Sequence, residues 1–399
     1  MAENLSPEAA GNTDNTHPAL RSFTASVHGT DFLFIPHGKE RFAILLDMVN
    51  RATRSVHLFF YMFQNDNAGI RLRDALANAA ARGVDVCVIV DRFGTDAATD
   101  FFMPIVEQGG RFFLFNARWN VRYLIRNHQK FLIADDAEVF TGGVNIAQPY
   151  FQPPQDKGWC DLAVQLRGKA VADFVRWFDL LEQWTCDPKA QLMTIRRILR
   201  EWNPGTGPVR LLLGGPTRVP NSWARRIRRD LMRASRLDLV MAYFSPPRSF
   251  RRFIRNIGRN GTARLIMAGK SDNRTTIAAA RLIYGGLLRC GVQIFEYLPQ
   301  KLHMKLAVVD DMTYLGSANF DMRSIRINLE LMLRIDDAEL ALRMRQFIDD
   351  LALQSEQITR DLYRRRSGVL AHLYGQLGWF LISVLDYTAA RRLNDRDTH

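Results

Sequence analysis

Two segments of the chain, HQKFLIAD from His128 and HMKLAVVD from His303, share the order His, one residue, Lys, four residues, Asp. Each leads into a Gly-rich piece ending in Asn, Gly142-Gly143-Val144-Asn145 in one and Gly316-Ser317-Ala318-Asn319 in the other. An imidazole titrates near neutrality, so it can attack phosphorus or carry a proton. Lys130 and Lys305 are compact cations that can hold the non-bridging oxygens of a phosphodiester, with Asn145 and Asn319 as further donors. Two such sets around one phosphate would supply a nucleophile and an acid/base, with no metal or other cofactor required.

A single His-X-Lys in a strand is ordinarily a surface feature; two copies with matching tails point to a site. The apolar runs Phe131 to Ala134 and Leu306 to Val309 are short and β-prone, which predicts buried strands. Side chains two apart in a strand share a face, so His128 projects with Lys130, and His303 with Lys305. Asp135 and Asp310 belong to the motifs but end the strands. An Asp there makes turn and backbone hydrogen bonds, so their predicted role in the site is structural.

These residues resemble the phospholipase D superfamily, whose members carry two His-Lys-Asp motifs with Gly-Ser or Gly-X-Asn tails. The resemblance covers most of the chain. It implies that one motif histidine becomes a phosphohistidine, that the other acts as acid and base, and that an acidic residue downstream of each motif orients a histidine. Glu330, eleven residues after Asn319, matches that position, and Asp161 in Trp159-Cys160-Asp161 is the looser counterpart in the first half. Three departures stand out. Five residues separate Asp310 from Gly316 against six between Asp135 and Gly142, which a shorter hairpin would explain. Gly143 replaces a frequent Ser, a feature shared with bacterial cardiolipin synthases, and Cys160 stands where those proteins often show Arg. Asp66 resembles a family position at the pocket rim.

A wider repeat surrounds the motifs. Val56 to Phe63, Gly69 to Arg82 and Val84 to Asp91 read as strand, helix, strand, and Leu237 to Phe244, Arg248 to Asn260 and Ala263 to Ala268 echo them. Further strands, Gly109 to Phe115 and Gly291 to Tyr297, precede the two motifs. Alternation of this length predicts an α/β fold: two similar domains with mixed, mostly parallel sheets flanked by helices, related by a pseudo-twofold axis, with the site at their interface. Tyr61 and Tyr243, each beside a turn, are candidate site walls or simply core aromatics, and Asp272 is a lesser candidate.

The 399 residues and 47% hydrophobic content suit two cores. Residues 1 to about 28 have no apolar period and read as a mobile tail without a signal peptide. Helical stretches at Val171 to Trp184 and Lys189 to Trp202 lead to a linker near Asn203-Pro204-Gly205. The predicted domains are therefore 29–203 and 204–350, followed by a helical C-terminal segment, 351–399. Cys87, Cys160, Cys186 and Cys290 show no metal or disulfide spacing, as expected in a reducing compartment.

A formal net charge of +13 calls for an anionic partner. Basic clusters such as Arg225-Arg226-Ile227-Arg228-Arg229 and Arg364-Arg365-Arg366 fit lipid or nucleic acid, or a plain solvated helix face. Val369 to Leu385 is apolar and aromatic between basic flanks, suited to lying in a membrane interface or to a buried core helix. That favours anionic phospholipid on a membrane surface over nucleic acid.

The resemblance therefore implies a bacterial cardiolipin synthase lacking N-terminal transmembrane helices. It would act peripherally at the cytoplasmic face of the inner membrane, moving a phosphatidyl group from phosphatidylglycerol to a second phosphatidylglycerol. Hydrolytic phospholipase D and a nuclease of the same superfamily are the alternatives. The sequence leaves open which histidine is the nucleophile.

Overall fold

The computed structural model describes residues 20–115, 125–187, 189, 191–270 and 274–366. Asp272 and the segment from Val369 to Leu385 lie outside them.

Seven strands recur in the same order in two sheets. In the first the order is Thr30–Ile35, Ala163–Gly168, Glu138–Gly142, Lys130–Ala134, Ser55–Phe60, Asp85–Asp91, Arg111–Phe115. In the second it is Val209–Gly214, Glu330–Asp336, Met312–Gly316, Lys305–Val309, Arg236–Met241, Thr262–Ala268, Gln293–Tyr297. An eighth strand extends opposite edges, Phe23–Val27 in the first sheet and Ser355–Gln357 in the second.

The sheets are mixed, as expected, but not mostly parallel. In each, two neighbouring pairs run parallel and five antiparallel. The crossover helices Asn67–Ala81 and Arg248–Asn260 enforce parallel pairing only where they link strands. Each motif strand instead returns antiparallel against the first strand of its unit and folds straight into a hairpin.

The hairpins account for the unequal motif lengths. Ala134 pairs with Glu138 across three turn residues, whereas Val309 pairs with Met312 across two. Asp135, Asp136 and Asp310 take positive φ there, of 53°, 52° and 47°, conformations that Asp tolerates better than most side chains.

Two further expectations are corrected. Phe23–Val27 is an edge strand rather than part of a mobile tail; its half-polar alternation hides it in the sequence, and the turn at His28-Gly29, with positive φ at both, returns it to Thr30–Ile35. The second unit also runs past residue 350, because the helix Ala338–Leu353 continues into the paired strand Ser355–Gln357.

Strand alternation divides the apolar residues between cores. Phe131 and Ile133 join Leu306 and Val308 in a central cluster shared by both sheets, with Trp177 from the helix Val171–Cys186 and Met344 from the helix Ala338–Leu353. Leu132 and Ala134 face a first-half core under the helices Gly38–Arg51 and Asn67–Ala81. Ala307 and Val309 face its second-half counterpart. The shared central core fixes one sheet against the other, which lets residues far apart in sequence meet.

Candidate active site

In each sheet the three parallel strands end at one edge, and the motif strand begins at that edge. Ligands of open α/β sheets gather at such carboxyl ends. The two ends abut through parallel bridges, Asn127 with Leu329 and Cys160 with Leu302. The His128 amide donates to the Leu329 carbonyl and the His303 amide to the Cys160 carbonyl, both at 2.8 Å. Each acceptor immediately precedes an acidic residue, Glu330 or Asp161.

The acid of each half therefore serves the histidine of the other. His128 Nδ1 lies 3.1 Å from Glu330 Oε2 and 3.1 Å from the Ser317 carbonyl oxygen. His303 Nδ1 lies 2.8 Å from Asp161 Oδ2. A carboxylate can only accept, so both imidazoles carry hydrogen on Nδ1 and present a lone pair at Nε2. Ser317 Oγ also donates to Glu330, and Asn328 Nδ2 donates to its second oxygen at 3.4 Å.

Lys130 and Lys305 are fully buried. Each ammonium donates to the carbonyl of its own motif histidine, and Lys305 Nζ stands 3.1 Å from His303 Nε2. Lys130 lies over the Tyr61 ring, 5.1 Å from its centroid. Burial and then the lysines depress the imidazoles, His128 to about 4 and His303 to about 3. Burial would push both carboxyls up, but the imidazoles beside them, then the lysines, hold Asp161 and Glu330 below their usual range. At neutral pH both imidazoles are neutral and both acids ionised, while burial pulls the Lys130 ammonium well below the usual lysine range, so that an anionic group beside it would favour its charged form.

Asn145 and Asn319 are buried, and neither Oδ1 has a partner among the described residues. Asn145 Nδ2 donates to the Tyr150 hydroxyl at 2.8 Å, and that hydroxyl lies 3.4 Å from His303 Nε2.

Asp135 and Asp310 sit at the far ends of their strands, roughly 16 Å along the backbone from the motif lysines at about 3.3 Å per residue. They staple turns and contribute nothing to the pocket itself. Asp135 accepts from the amides of Thr53, Arg54 and Ser55, and Asp310 from the amides of Ser235 and Arg236. Asp66 caps the helix Asn67–Ala81 and accepts from the Gln148 amide at 2.6 Å, which ties down the loop carrying Tyr150.

Tyr61 packs edge-on against His128 at 4.8 Å. Tyr243 is not its equivalent. The Tyr61 amide donates to the residue before Lys130, and the matching donor to Met304, before Lys305, is Ala242.

The His303 side has walls that sequence reasoning missed. Tyr150 and Trp159, both from the first half, lie 5.1 and 5.5 Å from its ring. Arg41, from the helix Gly38–Arg51, was also missed. It is 1% exposed, donates from Nη2 to the Trp159 carbonyl at 3.2 Å, and sits close enough to Asp161 to help hold it ionised. The aromatic density of Tyr150-Phe151 before Trp159 was the one available signal; a lone Arg on an amphipathic helix gave none. Cys160, in the position where Arg was expected, faces the Tyr297 hydroxyl, and burial pushes its thiol up to about 12.

A paired-sheet fold with two crossed His-carboxylate dyads and two buried lysines defines a phospholipase D-like protein. The family model described as the phospholipase D-like domain of cardiolipin synthase matches residues 45–180 and 227–352, and the chain belongs to that family. It is 29% identical over 356 residues to cardiolipin synthase 2 of Bacillus anthracis, covering 84% of this chain and 68% of that one. To the major cardiolipin synthase ClsA of Bacillus subtilis it is 30% identical over 347 residues, covering 83% and 71%. Among solved structures, phosphatidylserine synthase of Haemophilus influenzae superposes with a TM-score of 0.72 at 15% identity, covering 93% of this chain and 97% of that one.

Proposed function

We propose that the protein is a phosphatidyltransferase of cardiolipin synthase type, converting two phosphatidylglycerols into cardiolipin and glycerol. The observation that carries the reading is the pair of crossed dyads, His128–Glu330 and His303–Asp161, with Lys130 and Lys305 between them at one buried edge. Relatives named cardiolipin synthase support the substrate class.

His128 Nε2 attacks the phosphorus of the first lipid, forming a P–N bond as the P–O bond to glycerol breaks. His303 protonates the departing alkoxide. It then takes the proton from the hydroxyl of a second phosphatidylglycerol, whose oxygen displaces His128 from phosphorus. Lys130, Lys305, Asn145 and Asn319 hold the non-bridging oxygens, where charge accumulates in both transition states. The arriving phosphate offsets the two ammoniums and raises the imidazoles, so that His303 can hold its proton.

Differences between the halves support His128 as nucleophile. Its Nδ1 is gripped twice and its Nε2 has no partner among the described residues, whereas His303 Nε2 already faces Tyr150 and Lys305. The His128 side chain is also the more open, 13% exposed against 7%.

None of the described helices is long and apolar enough to cross a membrane. The enzyme works peripherally on a bacterial membrane, at its cytoplasmic face.

Expression in bacteria unable to make cardiolipin, with lipid profiling, tests the proposal. Cardiolipin should appear with the intact chain and be absent with His128→Ala. Purified protein given phosphatidylglycerol should release glycerol and cardiolipin together; phosphatidic acid without cardiolipin would mean a hydrolase instead.

A further inference from the structure

The helix Ser222–Arg233 carries five arginines and a single acid. That acid, Asp230, is buried and engaged by the Tyr314 hydroxyl and by Arg334 at 2.8 Å. Arg225, Arg228, Arg229 and Arg233 are exposed, as is Arg197 on the neighbouring helix Leu192–Glu201, and none of them has a carboxylate within ion-pair distance among the described residues. Unneutralised charge at this density repels itself and is held in the fold by Asp230, by Ser222 on the Leu213 backbone and by the apolar face beneath, Trp223, Ile227 and Leu231.

Three large apolar side chains stand exposed among these arginines: Met193 at 52%, Val219 at 52% and Met232 at 54%. A phosphate backbone would use the charge and leave the apolar groups idle. A bilayer interface uses both, the arginines on anionic headgroups and the apolar tips at the acyl boundary.

The surface also borders the site. Gly214 pairs with Glu330, so the loop 215–221 leaves the sheet at the edge where the imidazoles sit. Asn221, which caps the helix Ser222–Arg233, donates from Nδ2 to the Gly215 carbonyl at 3.0 Å, and Arg196 Nε donates to the Pro216 carbonyl at 2.7 Å, which ties both helices to that loop. Met193 lies in the first turn of the helix Leu192–Glu201 beside this edge, where Trp184 Nε1 donates to the Gln191 carbonyl and its ring packs tilted against Phe115 at the end of its strand.

We infer that the surface formed by the helix Leu192–Glu201, the loop 215–221 and the helix Ser222–Arg233 docks the protein on an anionic phospholipid bilayer and sets the site edge against the lipid that supplies the phosphatidyl group. This rests on the proposed function for the identity of the lipid, but not for the binding.

The test is co-sedimentation of the full chain with vesicles of phosphatidylglycerol and of phosphatidylcholine, beside transfer activity on short-chain phosphatidylglycerol below its micelle concentration. Arg225→Ser/Arg228→Ser/Arg229→Ser should weaken binding to phosphatidylglycerol vesicles by roughly 100-fold, taking each arginine as worth about 1 kcal/mol. Met193→Ser/Val219→Ser should weaken it further at high salt, where charge is screened. Both variants should keep wild-type activity on the monomeric lipid. Unchanged vesicle binding by the arginine variant would overturn the inference, as would a loss confined to duplex DNA binding. Should the wild type bind vesicles through this surface yet transfer nothing on the monomeric lipid, the docking stands and the proposed function falls.

Discussion

Asp161 and His303 are 142 residues apart in sequence and 2.8 Å apart in space, and they lead into strands of different sheets, Ala163–Gly168 and Lys305–Val309. Glu330 and His128 repeat the relationship in the opposite sense. Neither half completes a dyad alone, because each imidazole is oriented from across the interface. Where the two motifs have different partners and walls, the two histidines need not be interchangeable.

Neutralising each acid tests that division of labour. Asp161→Asn and Glu330→Gln should each lower kcat by about 10² to 10⁴ with little change in KM, as expected when an imidazole loses its orienting charge. They should fail at different steps. With a p-nitrophenyl phosphodiester, whose leaving group needs no proton, Asp161→Asn should give a burst of one p-nitrophenol per site and a trapped phosphohistidine. Glu330→Gln should give no burst. The reverse pattern in rapid-quench measurements would make His303 the nucleophile.

The depressed imidazoles make stability depend on pH. An unfolded His takes up its proton near pH 6.5, whereas folded His128 waits until about 4. Between those values the unfolded chain binds more protons, so stability is full above pH 6.5 and falls as the pH drops. The slope for one histidine is about 1.4 kcal/mol per pH unit. In urea unfolding at pH 6.5 and 4.5, wild type should lose about 2 to 3 kcal/mol more than His128→Asn, a difference that leaves out titrations common to both proteins. Equal losses would mean that the ring is protonated in the folded state well above pH 4.

The site was legible in the sequence to the extent that its chemistry repeats. Two copies of His-X-Lys with an Asn tail cannot arise from strand periodicity, and Glu330 lies at a readable spacing from Asn319. The crossing of the acids was not legible, since it depends on which strand ends abut, and no local pattern encodes that. The antiparallel share of each sheet was hidden for a similar reason: short apolar strands look alike whichever way they pair. Phe23–Val27 escaped because an edge strand needs only one apolar face and sits here among polar residues. Tyr61 and Tyr243 share a place in the sequence repeat but not in the register, where one residue moves a side chain to the other face.

Arg41 tests whether a buried cation missed in the sequence supports the site. Its Nε and Nη1 have no partner among the described residues, and burial lowers its pKa. An apolar replacement of similar length therefore relieves an underbonded charge, and stability should stay within about 2 kcal/mol of wild type. Asp161, however, loses a neighbouring positive charge and Trp159 loses the donor to its carbonyl. Arg41→Met should lower kcat about tenfold and make that loss steeper at low pH, where Asp161 now protonates more readily, while Arg41→Lys should recover part of it. Thermal unfolding and a pH–rate profile separate this outcome from simple destabilisation.

Gly143 and Ser317 occupy matching places in the two tails, and the difference follows from the acid each one meets. Ser317 Oγ donates to Glu330. A Cβ built on Gly143 would lie 2.4 Å from Asp161 Oδ1 and 2.8 Å from Oδ2, closer than any side chain tolerates. Asp161 is itself held between His303 and the backbone amide of Leu162, so it has little freedom to retreat. Gly143→Ser should therefore displace the carboxylate from Nδ1 of His303 and resemble Asp161→Asn, with kcat down about 10²-fold or more and a trapped phosphohistidine. Ser317→Gly removes one hydrogen bond from the ionised Glu330 and the acceptor of the Leu331 amide but causes no clash; a hydrogen bond to a charged group is worth about 1.5 kcal/mol or more, so kcat should fall about tenfold. Equal effects of the two substitutions on kcat would show that the tails, unlike the dyads, are interchangeable.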